Sequence, residues 1–156
     1  MEPETIEPRV RQQLMGHPFV KGLDGDDIEL FVRLGRLVEF GSRDFIFRTG
    51  DPANTFYLVR SGVVALQVDA GGAFPRTIEN IAEGSALGWS WLFEPYVWQF
   101  DAVAQTPVRG LAFDAVALRA KFQVDPACGY HVMARVAAVM ADRLHATRRQ
   151  LLNLAE

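Results

Sequence analysis

Two textures divide the chain. From Leu37 to Phe113 apolar residues come in short runs, several alternating with polar ones, and turn residues close each run. Leu37–Phe40 precedes Gly41-Ser42, Phe45–Phe47 precedes Thr49-Gly50-Asp51-Pro52, and Phe56–Val59 precedes Ser61-Gly62. Val63–Val68 and Thr77–Ile81 flank Gly71-Gly72, and Phe100–Ala104 and Val108–Phe113 close the series. Runs of period two, punctuated by Gly, Pro and Asp, predict antiparallel strands in a sandwich or barrel.

Both flanks read as helical. Residues 1–9 are polar, carry prolines and are expected to fray, ahead of a short helix over Val10–Gly16. Asp26 and Asp27 predict the cap of a second helix with the apolar face Ile28, Phe31, Val32 and Leu34, closed by Gly35. Asp114 predicts the N-cap of Ala115–Phe122. Asp125-Pro126 restarts the chain, and a helix rich in Ala, Arg, Met and Leu runs on to about Leu154, with Gly129 its weak point. The organisation is one domain over 1–156: N-terminal helices at 10–35, β region at 36–113 and C-terminal helices at 114–156.

Composition narrows the function classes. At 156 residues, 49% hydrophobic and 22% charged, the chain has the makings of one packed core. A net charge of −3 argues against a surface built throughout for nucleic acid. A single cysteine, Cys128, excludes an internal disulfide and a cysteine zinc cage; its position beside Gly129 near a helix start allows a lowered pKa or a bland, partly buried thiol. His17, His131 and His145 lie far apart, so no metal-ligand spacing and no metal site is predicted, and no Ser/His/Asp or Cys/His set marks catalytic residues. The N-terminus lacks a signal-peptide core and no apolar run reaches about 18 residues, so neither secretion nor a membrane-spanning helix is expected and the default location is the cytoplasm.

The turn sequences carry a resemblance. Phe45-Ile46-Phe47-Arg48-Thr49-Gly50-Asp51-Pro52-Ala53, then Phe56-Tyr57-Leu58-Val59-Arg60-Ser61-Gly62, resembles the β-roll signature of cyclic nucleotide-binding domains. Gly84-Ser85-Ala86-Leu87-Gly88, followed by Leu92-Phe93, resembles the start of their phosphate-binding cassette, here residues 84–105. The resemblance implies a mainly β fold with flanking helices: an antiparallel, jelly-roll-like β-roll, short N-terminal helices and a long C-terminal one. It also implies a non-enzymatic sensor or regulatory module of the catabolite-activator kind. In DNA-binding relatives a winged helix follows the long helix; these 156 residues contain none, so no direct nucleic-acid binding is expected.

The cassette departs from the family where ligand chemistry resides. The position that matches the family's ribose-binding Glu is Trp89, and the position of its phosphate-binding Arg is Trp98 or Gln99. No Lys or Arg occurs between Gly84 and Gln105. A cyclic phosphate needs charge-assisted donors, so cAMP and cGMP are expected to bind weakly or not at all. A helix N-terminus at Gly88, or Arg76 or Arg109 from neighbouring strands, would have to supply substitutes. Aromatics crowd the segment instead: Trp89, Trp91, Phe93, Tyr96, Trp98 and Phe100. The candidate site is therefore Gly84, Gly88, Trp89, Ser90, Trp91, Trp98 and Gln99. It reads as walls for an apolar or planar small molecule, as a pocket filled by its own side chains, or as an exposed patch for a protein partner.

The long helix carries a second pattern. Met133, Ala137, Met140, Leu144, Thr147, Leu151 and Leu154 are spaced alternately four and three apart, an a/d seam across three heptads. It reads as one helix lying on its own β-roll or as a homodimer seam. The resemblance implies the dimer, because the corresponding helix of catabolite-activator-like proteins forms a coiled coil. Arg143, Arg148 and Arg149 read as helix-dipole complements and solvated residues. The function expected is a sensor signalling through a dimerising helix; the alternative is a ligand-free interaction module with an aromatic plug.

Overall fold

The computed structural model describes residues 3–155. The alternating runs become seven strands: β1 Gly35–Phe40, β2 Phe45–Phe47, β3 Thr55–Ser61, β4 Val64–Val68, β5 Arg76–Ile81, β6 Asp101–Ala104 and β7 Val108–Asp114. They form two antiparallel sheets, ordered β1-β7-β3 and β2-β6-β4-β5, the β-roll that the resemblance implied. Inner positions such as Phe56, Leu58, Val64, Leu66, Leu111 and Phe113 are buried. Gly62 makes one turn possible: its φ is +93°, and a Cβ there would lie 2.2 Å from the carbonyl oxygen of Pro107.

Helices hold more residues than strands, although the sheets organise the core. The first, α1 Pro3–Met15, extends through most of the segment expected to fray; residues 1–2 lie outside the described residues. The cause is its apolar stripe. Ile6, Val10 and Leu14 recur every four residues, Val10 and Leu14 are fully buried, and Pro8 faces solvent.

The second helix, α2 Gly25–Leu34, starts earlier than Asp26 and Asp27 suggested. Asp24 is the N-cap: its Oδ1 accepts from Asp27 N at 3.0 Å, and Asp27 Oδ2 accepts from Asp24 N at 3.2 Å. Asp27 is the N3 half of a reciprocal box. Its apolar face buries Leu30, Phe31 and Val32, while Ile28 and Leu34 are partly buried.

Asp114 caps α3 Ala115–Val124 as expected, accepting from Ala117 N at 3.0 Å. The long helix α4 spans Pro126–Ala155. Gly129 lies close against α3, since a Cβ there would stand 3.2 Å from Phe122 Cβ; the helix-weakening residue admits a neighbour. Cys128, Val132 and Val136 bury one stripe of α4 against the roll.

Aromatic rings fill the centre. Phe31 meets Phe113 edge-on at 5.1 Å, Phe19 lies 5.0 Å from Phe56, and Phe56 lies 4.7 Å from Trp91. Beside them His17 is buried, with Nδ1 accepting from Phe19 N and Nε2 donating to Val59 O, both at 3.1 Å. That pairing fixes one neutral tautomer. Burial pushes the imidazole pKa down to about 4.

Candidate functional site

The segment after β5 crosses onto β3 before reaching the aromatics. Gly84, at φ +81°, turns the chain, and Gly84 N donates to Val59 O at 3.0 Å. Val59 N donates to Ser85 O at 2.8 Å and Leu87 N to Tyr57 O at 3.1 Å, so residues 84–87 act as a short extra strand. The far end is tied to the turn at Thr49–Ala53: Gly50 N donates to Trp98 O, Trp98 N to Asp51 O and Ala53 N to Tyr96 O. Asp101, an acidic neighbour of the aromatics, accepts from Thr49 N at 2.8 Å and holds that turn.

Between these ties the three tryptophans have different fates. Trp98 is buried and lies flat on Phe47, with ring centres 3.8 Å apart and planes 6° apart. Gly88 gives it room, because a Cβ there would stand 3.2 Å from the indole edge. Trp91 is fully buried between Phe56 and Phe122, and its Nε1 has no hydrogen-bond partner among the described residues. Trp89 is only partly buried. No α-helix begins at Gly88; Ser90–Leu92 makes a single 3₁₀ turn without a side-chain cap. A helix N-terminus at Gly88, one of the substitutes weighed from the sequence, is therefore absent from the described cassette.

Gly88, Trp89, Ser90 and Trp98 meet around a cavity of about 60 Å³, walled also by Phe47, Leu66 and Arg143. That volume holds a few waters and falls well short of the ~300 Å³ at which small-molecule sites begin. Gly84, Trp91 and Gln99 do not line it; Gln99 is exposed and donates to Val97 O. Neither strand arginine reaches it. Arg109 pairs with Glu39 at 3.3 Å on the other sheet, and Arg76 is exposed at the start of β5.

The cations come instead from the C-terminal helices. Arg143 of α4, read from the sequence as solvated, is largely buried. It donates to Ala86 O, lies 3.6 Å from Glu79 Oε1 and sits over the Trp89 ring at 4.9 Å. Burial lowers its pKa, against the opposing pull of Glu79. Arg119 of α3 grips the other end, donating to Trp91 O at 2.7 Å and Ala53 O at 3.2 Å and covering the Tyr96 ring at 4.1 Å. Sequence reasoning missed both roles. One signal was available for Arg143: it stands four and seven residues beyond Val139 and Val136, on the inward stripe.

Above Arg143 the cassette and α4 leave an open groove of about 370 Å³, lined by Glu79, Trp89, Met140, Leu144 and Thr147. The rest of the seam is turned from the protomer core. Ala137 and Thr147 are exposed, as are Met133, Leu144, Leu151 and Leu154. Cys128 is the bland thiol of the two readings: burial, with Asp27 nearby, pushes its pKa up to about 12.

Comparison with known proteins places this geometry. The family model described as "Cyclic nucleotide-binding domain" matches residues 37–125. A protein of Geobacter metallireducens GS-15, whose name places it among cyclic nucleotide-binding proteins, is similar at 25% identity and a TM-score of 0.77, over 93% of this chain and 100% of that one. A cyclic nucleotide-binding domain from Methylobacillus flagellatus KT shares the fold at 15% identity and a TM-score of 0.75, over 94% and 83% of the two chains. The catabolite activator protein of Thermus thermophilus is 27% identical with a TM-score of 0.66, over 88% and 63%. No curated protein matches the chain. Among the described residues no helix is long and apolar enough to cross a membrane.

Proposed function

The chain belongs to the cyclic nucleotide-binding domain family, and from that premise we propose that it is a regulatory sensor module whose cassette is closed to cAMP and cGMP and read out by its C-terminal helices. Its fold is that of regulatory domains, which are typically not catalytic. One observation carries the finer reading: two arginines from α3 and α4 bind the backbone and rings of the cassette directly. Arg143 bridges the cassette and the helix that carries the seam. Movement of Trp89 or Ala86 therefore changes what holds α4 in place. Any ligand that favours one arrangement of this contact shifts the helix by its differential affinity alone.

The closed state has a physical basis. Phe47 and Trp98 occupy the space between the sheets, and the remaining cavity of about 60 Å³ cannot take a nucleotide without rearrangement. Arg143 is already engaged with Glu79 and Ala86 O. A cyclic phosphate would have to displace those partners. The ligand class that fits the exposed side is planar or apolar, stacking on Trp89 in the open groove.

The same reading makes the protein a homodimer. Met133, Leu144, Leu151 and Leu154 form an exposed apolar line along α4, and a second copy of this helix covers it with the same residues. Isothermal titration tests the nucleotide half of the proposal. No saturable heat is expected from cAMP or cGMP, and a micromolar dissociation constant for either would overturn it. Sedimentation tests the dimer, and a monomer at tens of micromolar would refute it.

A further inference from the structure

A group of ligating side chains lies outside the cassette, where the start of α2 meets the first turns of α4. Asp24 is the N-cap of α2, Asp27 its N3 residue, and His131 comes from α4. His131 Nδ1 stands 2.8 Å from Asp27 Oδ2 and 3.8 Å from Asp24 Oδ2, and one ligand atom from each residue lies within 4.8 Å of the others. Asp27 is a buried carboxylate, whereas Asp24 is exposed and His131 only half-buried, so the cluster is open on one side.

We propose that Asp24, Asp27 and His131 form a site for a divalent transition-metal ion of the zinc class. Bonds of about 2.0–2.2 Å in tetrahedral geometry separate neighbouring ligand atoms by about 3.4 Å, and the two observed separations, 2.8 and 3.8 Å, straddle that value. Small side-chain shifts suffice. The capping box leaves donor capacity: Asp24 uses Oδ1 for Asp27 N, which frees Oδ2 to face His131.

The donor set selects the ion. One imidazole with two carboxylates suits zinc-class ions; magnesium and calcium take oxygen-rich sets of six or more. Two carboxylates also offset the charge of the ion. Metal would then fasten α2 to the root of α4, the helix that carries Arg143 and the apolar seam. The competing account is a plain His131–Asp27 ion pair that holds the helices without a metal.

Zinc titration of the full chain separates the two. One zinc per chain is expected with micromolar or tighter affinity, together with a raised melting temperature and no displacement by a tenfold excess of Mg²⁺. Asp24→Asn keeps an N-cap residue, so the fold should hold while zinc affinity falls at least ~10-fold. His131→Gln, checked for folding by circular dichroism, should lose it as well. Absence of saturable zinc binding, equal competition by Mg²⁺, or unchanged affinity in both variants would overturn the site and leave the ion pair.

Discussion

The aromatic cluster of the cassette and the apolar line of α4 are both dense hydrophobic patterns in the sequence, and the fold treats them oppositely. Trp91 and Trp98 are sealed inside the protomer, while Leu151 is 62% exposed and Leu154 83%. The cassette residues belong to a segment pinned at both ends, by β3 and by the turn at Thr49–Ala53, so their rings fold into the space between the sheets. Leu151 and Leu154 lie four to five turns beyond Val136 along α4, where nothing among the described residues covers them. Hydrophobicity alone does not say whether a group is spent inside its own chain or left for another. The difference is set by which neighbours the backbone brings within reach.

The sharpest way to break this comparison is to truncate one side of each. Trp98→Ala should cost about 3–5 kcal/mol of folding stability by urea denaturation, because it removes a ring stacked in the core. Leu151→Ala should cost the folded protomer less than about 0.5 kcal/mol. Similar losses at the two sites would erase the distinction.

The second largest effect belongs to the exposed side. Leu144→Glu combined with Leu151→Glu should weaken self-association by at least ~100-fold in sedimentation, since two charges per copy enter an apolar seam. The melting temperature of the isolated protomer should hardly move. Persistence of the dimer would move its interface away from α4.

The interior side also has a pH signature. His17 has an ordinary pKa of 6.5 and is held down to about 4 in the fold by burial. Between these values the unfolded chain takes up a proton that the native protein refuses. The stability His17 contributes is therefore complete above about pH 6.5 and is lost as the pH falls towards 4. Urea midpoints should drop across that window, and His17→Gln should flatten the trend. An equal slope in the variant would assign the acid sensitivity to other groups.

The smallest expected effect lies at the junction of the two regions. Arg143→Met keeps the aliphatic stem but removes the guanidinium from Trp89, Ala86 O and Glu79. It should cost about 1 kcal/mol and alter the fluorescence of Trp89 without unfolding the roll. Unchanged fluorescence and stability would mean that cassette and helix are independent.

Local chemistry made most of the architecture legible. Alternation placed the seven strands within a residue or two, Asp114 marked its helix, and Gly50 and Gly62 marked turns whose positive φ favours glycine. These features depend on near neighbours along the chain, so sequence order contains them. Contacts between distant segments were not legible. Asp24 and Asp27 stand more than a hundred residues before His131, Arg143 reaches a cassette 57 residues earlier, and Arg119 reaches Ala53 across 66. No spacing rule connects such pairs.

The sequence by itself determined which runs form strands, where the two C-terminal helices begin, and that residues 84–105 carry no Lys or Arg. The tertiary structure alone decided that Trp98 is buried on Phe47, that Trp89 stays half-open, that two helix arginines hold the cassette and that most of the α4 seam is exposed. The physical reason is one of range. Backbone hydrogen bonding and capping are satisfied within a few residues, whereas burial is settled only when the closed chain has fixed the distance from every side chain to every other.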